Sequence, residues 1–156
     1  MQKNKNFYLK VKGSGEFEMG LVSEGYRKLS TIMYLILSGS LSKDAILFWD
    51  EPETNMNPKM IKPMVDAIIE LAKMGVQVFV TTHDYFVQQC FNMAATYPDY
   101  QRSPRKELQY NFMSLYRTDE GIKCETAEHL PELTNNAVME EFDELYDREQ
   151  EMLYGD

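Results

Sequence analysis

The sequence predicts an α/β fold: a mostly parallel sheet with flanking helices, followed by a β-hairpin and an acidic helix. Three observations carry this expectation. The run Ala45-Ile46-Leu47-Phe48-Trp49 is continuously apolar and ends at Asp50-Glu51-Pro52-Glu53. A run this short, closed by a proline, reads as a buried parallel strand. A second run, Val76-Gln77-Val78-Phe79-Val80, stops at Thr81-Thr82-His83-Asp84. Between the two lies a loop and then an apolar stripe at helical spacing, so the order is strand, loop, helix, strand. That is a βαβ unit, and its strands are expected to be parallel with a right-handed crossover. Ligands of open α/β sheets bind outside the carboxyl ends of the strands, which brings Asp50, Glu51 and His83 to one crevice as candidates.

The elements follow in order. Phe7-Tyr8-Leu9-Lys10-Val11-Lys12 is rich in aromatic and branched residues and reads as a strand entering the Gly13-Ser14-Gly15 turn, with 16–20 as its return. That glycine turn is not followed by GKS or GKT, so it is no phosphate loop. Tyr26, Leu29, Ile32, Met33, Ile36 and Leu37 recur at helical spacing and predict a helix over 24–38, with Ser23 as N-cap. The amino end of such a helix also suits an anion, so Ser23 and Gly25 carry two readings, capping and phosphate contact. After the first strand, Thr54-Asn55-Met56-Asn57-Pro58 is loop-like. Ile61, Met64, Val65, Ile68, Leu71 and Ala72 then mark a helix starting between Lys59 and Lys62, where Pro63 falls in the first turn, and ending at Gly75. Asp84 or Thr82 caps a further helix to Ala95. The stretch 97–105 reads as a loop, 108–117 and 122–126 as a hairpin across Thr118-Asp119-Glu120-Gly121, and 135–154 as an amphipathic acidic helix.

Composition bounds the rest. The chain has 156 residues, 44% hydrophobic and 26% charged, which suits one domain with a true core. The formal charge of −9 argues against broad phosphate-backbone binding, so nucleic acid is expected only through a partner. Cys90 and Cys124 have no metal-ligand spacing, and no apolar segment suits a membrane span or a signal sequence. A cytoplasmic location with free thiols is the expectation.

Adjacent carboxylates at a strand end have a chemical use. Transfer of a terminal phosphoryl group to water needs a divalent cation on hard oxygen ligands and a second carboxylate to orient or deprotonate the water. Asp50 and Glu51 fit these parts. A neighbouring imidazole, His83, can donate a hydrogen bond to developing charge. His129, in Glu128-His129-Leu130-Pro131, reads as a surface residue, and the acids of the last helix read as a solvated face.

Leu47-Phe48-Trp49-Asp50-Glu51-Pro52-Glu53 followed by Asn57-Pro58 resembles the Walker B motif and D-loop of ABC-type ATPases, especially the RecF, SMC and OLD-like branch of P-loop NTPases. Thr81-Thr82-His83-Asp84 resembles their switch-histidine motif, and Ser23-Glu24-Gly25-Tyr26-Arg27-Lys28 their signature motif. The resemblance implies the C-terminal lobe of such a head, spanning 1–156, with ATP and Mg2+ as ligands. Asp50 would serve the metal, Glu51 the water and His83 the γ-phosphate. Ser23, Gly25 and the D-loop residue Asn57 would meet a nucleotide held by the opposite subunit of a homodimer.

Two departures matter. Glu24 stands where the common signature has small residues, and Asn57-Pro58 where transporters and SMC proteins have Leu-Asp. Moreover, these residues contain no GxxxxGK[ST], the loop that supplies most phosphate affinity. The expectation is therefore the C-terminal half of an ATPase head, with an uncovered sheet edge, that completes its site with a P-loop-bearing chain or segment. The alternative is a non-enzymatic interaction module that retains the fold.

Overall fold

The computed structural model describes residues 2–3, 6–11, 15–18, 24–97, 100 and 108–155. They fall into two compact units, Met1–Thr82 and His83–Asp156.

The first unit opens with an antiparallel meander of β1 (Gln2–Lys3), β2 (Asn6–Val11) and β3 (Gly15–Glu18), in that spatial order. Residues 12–14 and 19–23 lie outside the described residues, and with them the Gly13-Ser14 turn and Ser23. Helix α1 (Glu24–Leu37), strand β4 (Ile46–Asp50), a 3-10 turn (Pro58–Met60), helix α2 (Ile61–Lys73) and strand β5 (Gln77–Thr81) follow. Strands β4 and β5 pair in parallel, from Ile46↔Gln77 to Asp50↔Thr81, so the expected βαβ unit is present. Pro63 sits in the first turn of α2, where its missing N–H costs nothing. The helix closes through Gly75 at φ +94°: Gly75 N–H donates to Ala72 O at 2.9 Å and Val76 N–H to Leu71 O at 3.2 Å. This double closure requires a left-handed residue. It turns the chain directly into β5.

The core explains the register. Ile32, Leu41, Leu71 and Val76 are buried together, and Leu35, Ile36, Ala45, Leu47, Trp49 and Val78 pack against them. Helix α2 is the most buried element, with Met64, Val65 and Leu71 at 0% exposure.

Two sequence expectations change here. Strand β4, expected to be buried on both faces, is covered on one only: Ala45, Leu47 and Trp49 face the core, while Ile46 is 57% and Phe48 75% exposed. The parallel sheet is two strands wide among the described residues and carries its core on one side. On the open side Phe48 stacks on Phe79, ring centroids 4.8 Å apart and 11° from parallel. In the same way Tyr26, Met33 and Leu37 of the α1 stripe are exposed, and only Ile32, with Leu35 and Ile36, meets the core. Helical spacing marked an apolar stripe wider than the surface available to cover it.

The second unit begins with α3 (Tyr85–Thr96), capped by Asp84, whose Oδ1 accepts from Val87 N–H at 2.9 Å. Strands β6 (Phe112–Thr118) and β7 (Gly121–Ala127) form the expected antiparallel hairpin, turning at Gly121, φ +122°. A 3-10 turn (Leu130–Glu132) leads to α4 (Ala137–Tyr154), capped by Asn136. Asn136 Nδ2 also donates to Gln88 Oε1 at 3.0 Å, which fixes the start of α4 on α3. His129 is half-buried. Its backbone N–H donates to Glu132 Oε2 at 3.3 Å at the head of the 3-10 turn.

Candidate functional site

Strand pairing puts Asp50 opposite Thr81 at the last rung of the parallel pair. The Thr81 hydroxyl donates to Asp50 Oδ1. One oxygen of Asp50 is thereby oriented by a neighbouring strand rather than by solvent, and the residue stays exposed.

The chain leaves β4 through a left-handed residue: Glu51 has φ +41°. Such a conformation is costly for a residue with a long side chain, and it persists only where surrounding bonds impose it. Here several do. Glu51 N–H donates to Thr81 O at 3.0 Å, and Thr54 N–H donates to Glu51 O at 3.1 Å. The Thr54 hydroxyl donates to Glu51 Oε2 at 3.1 Å. From α1, Lys28 Nζ donates to the carbonyls of Pro52 and Thr54, both at 2.9 Å, and of Glu51 at 3.4 Å. Pro52, buried, seats the turn in the core. The turn therefore holds one carboxylate at the strand end and presents a second one residue later.

Glu53 continues the join between the strands. Its Oε1 accepts from the Thr82 hydroxyl, while its Oε2 is buried and makes no hydrogen bond among the described residues. Two rungs, Asp50 with Thr81 and Glu53 with Thr82, thus link the segments that leave β4 and β5. His83 follows Thr82 directly, is exposed, and opens the second unit.

The remaining sequence candidates have local work to do. Gly25 is buried at the start of α1, and a Cβ there would lie 3.1 Å from Met56 Cγ and 3.7 Å from Met60 Cβ. A Cβ would press on the Met56 side chain, so glycine permits the close approach. Asn57 caps the 3-10 turn, its Oδ1 accepting from Lys59 N–H at 3.0 Å. The structure thus brings Asp50, Glu51, Thr81 and the Lys28-held turn together, and sets Gly25 under the loop that contains Asn57.

Sequence reasoning gave Lys28, Glu53 and Thr81 no part of their own in the site, and offered Thr82 only as a helix cap. Thr81 and Thr82 stood inside a recognised motif. Lys28 closed the signature-like run, but nothing there marked its acceptors, because a lysine on a helix is ordinarily a solvated charge and these carbonyls lie far along the chain.

Among the described residues no group of three or more His, Cys, Asp or Glu side chains is placed to cage a metal. The hard oxygens of Asp50, Glu51 and Thr81 nevertheless fit Mg2+, which is commonly held by one or two carboxylates together with substrate phosphates. A cleft of about 260 Å³ between α1 and β4 is lined by Arg27, Lys28, Ile32, Leu35, Phe48 and Trp49, among others. Small-molecule pockets span roughly 300–1,000 Å³, so this cleft is too small to enclose a nucleotide. No helix among the described residues is long and apolar enough to cross a membrane.

Comparison with known proteins adds the family. The model of the family described as "AAA domain, putative AbiEii toxin, Type IV TA system" matches residues 2–87, more than half of the chain. No curated protein matches. Among solved structures, a chain from a study of ATP-driven dimerization and DNA-stimulated activation of SMC ATPases superposes with a TM-score of 0.57 at 14% identity, covering 90% of this chain and 72% of that one. Strand β4, its acidic turn and strand β5 all lie within the matched span. On these grounds the chain belongs to this AAA domain family of P-loop ATPases, and its α/β fold is similar to that of an SMC ATPase.

Proposed function

We propose that the chain supplies the hydrolytic edge of a composite ATPase site. Asp50 takes the Mg2+ role, Glu51 holds the attacking water as general base, and His83 donates to the γ-phosphate. Ser23, Gly25 and Asn57 belong to the surface presented to a second subunit's nucleotide. Bound Mg2+ neutralises charge on the transferred phosphoryl group. The protein's part is positioning: Thr81 fixes Asp50, and the turn clasped by Lys28 and Thr54 holds Glu51 at a set distance along the chain. The carrying observation is that Asp50 ends the parallel strand while Glu51 follows in a left-handed turn held by Thr81, Thr54 and Lys28.

The nucleotide's phosphates need a cradle of backbone N–H groups and a lysine, so the P-loop comes from a partner chain or a preceding segment. The open face at Ile46 and Phe48 supports this, because parallel sheets are ordinarily covered on both faces. The SMC study concerns ATP-driven dimerization of its own proteins; a nucleotide-dependent homodimer is the corresponding proposal for this chain.

The test is Mg-ATP turnover by this chain expressed with a P-loop-bearing half. Glu51→Gln is expected to lower turnover by about 10²–10⁴-fold, the range for losing a general base, while ATP binding persists. Normal turnover by that variant would remove Glu51 from the mechanism. A second reading, a non-enzymatic interaction module, draws on Gly25 and Asn57 having packing and capping roles of their own. It requires that Asp50→Ala combined with Glu51→Gln leave cellular activity unchanged.

A further inference from the structure

We infer that the free part of α4 is a docking helix that lays an apolar stripe into a groove, apolar at its floor and rimmed by lysine or arginine, on a second polypeptide.

Among the described residues, helix α4 is anchored only near its start. Asn136 ties it to Gln88, Gln89 Nε2 donates to Met139 Sδ at 3.5 Å, and Phe142 stacks on Tyr85 with ring centroids 4.4 Å apart. Beyond Phe142 the helix continues to Tyr154, about 18 Å further at 1.5 Å per residue. Along it Leu145 is 58%, Tyr146 54%, Met152 74% and Leu153 63% exposed. At 100° per residue these four and Phe142 fall within an arc of about 120°, the width of a core-facing helical stripe. The stripe that begins by packing on α3 therefore runs on with nothing beneath it among the described residues of its own unit.

Charge selects the occupant. The helix carries seven acids against the single base Arg148. Glu140 and Glu144, Asp143 and Asp147, and Asp147 and Glu151 are like charges four residues apart, a repulsive spacing. No base stands in the last turn to offset the negative helix end, and Glu151 adds to it. A cationic rim relieves both penalties. A second copy of α4, an anionic lipid surface and a nucleic acid would each increase them. Glu149 lies within the stripe itself, at the same heading as Phe142 to within about 20°. It marks the point where a lysine or arginine of the groove must meet the helix, which fixes register as well as affinity.

The experiment uses the full chain in its native cells, with a benzophenone amino acid at Leu145 or Met152 and, as control, at Glu144 on the opposite face. After irradiation the adducts are identified by mass spectrometry. The expected result is an adduct from the two stripe positions, absent from Glu144, with an apolar segment of a second polypeptide flanked by Lys or Arg. Leu153→Ala and Glu149→Lys, exposed changes whose helicity is checked by circular dichroism, should each reduce the adduct about tenfold. Reversing the partner's facing base to Glu should restore it for Glu149→Lys. An adduct with a second copy of this chain, with lipid or with nucleic acid would overturn the proposal. So would the absence of any adduct, or one that Glu149→Lys leaves undiminished.

Discussion

At the scale of single residues, the functional edge depends on bonds made across long stretches of sequence. Lys28 spans from α1 to three carbonyls of the turn after β4. Replacing it with Met leaves those acceptors to solvent and releases a left-handed Glu51. Lys28→Met is expected to destabilise the chain by about 1–3 kcal/mol, the scale of losing hydrogen bonds from a charged donor, and a urea titration measures it. A lysine with this task is indistinguishable in sequence from a solvated one, whereas Asp50 and Glu51 were legible because an apolar run stops at them. Gly25, proposed above as part of the nucleotide-facing surface, also sits close beneath the Met56 side chain. Gly25→Leu should cost about 1–3 kcal/mol through overpacking, read as a lowered urea midpoint, with ATP absent from the assay so that packing alone is measured.

Elements differ in how much of themselves they bury, and that difference decides what each mutation does. Helix α2 carries its stripe fully inward, so Leu71→Ala should cost about 2–5 kcal/mol, seen as a drop in melting temperature. Helix α4 has no buried residue, and alanine at Leu153 should leave the melting temperature near its starting value. The helix boundaries were readable from periodicity and end signals: Pro63 at the start and Gly75 at the end of α2, Asp84 before α3. What periodicity cannot say is whether a marked face finds a cover, which is why Met33, Leu37, Ile46 and Phe48 are exposed against expectation. The join between the hairpin and α4 was equally unreadable. There Glu125 accepts from the N–H groups of Thr134 at 2.9 Å and Asn135 at 3.1 Å, and from both side chains at 2.9 Å. The Asn135 amide, then the Thr134 N–H, lower its carboxyl from 4.5 to about 2. A pKa lowered by folding means stabilisation that is complete above pH 4.5 and lost as pH falls toward 2. The urea midpoint of Glu125→Gln should lie below that of the parent at pH 6, and the gap should close as the pH approaches 2.

Across the whole molecule, the chain combines a covered and an uncovered side of one sheet. The fold class was legible because strand, helix and strand announce a βαβ unit, and three motifs in order announced the ATPase family. The width of the sheet was not, since a two-stranded parallel pair and the middle of a larger sheet have the same apolar runs. Phe48→Ser combined with Ile46→Thr is expected to raise the solubility of the chain expressed alone and to weaken co-purification with a P-loop-bearing half. Unchanged co-purification would locate that contact elsewhere. The same side-by-side arrangement has an optical consequence. Trp49 is the chain's only tryptophan, packed inward against the core and followed directly by Asp50. Its emission therefore comes from a single indole one residue from the proposed metal carboxylate. A stopped-flow trace of the unlabelled protein would then time events at that edge and the loosening of the core beneath it with one native reporter.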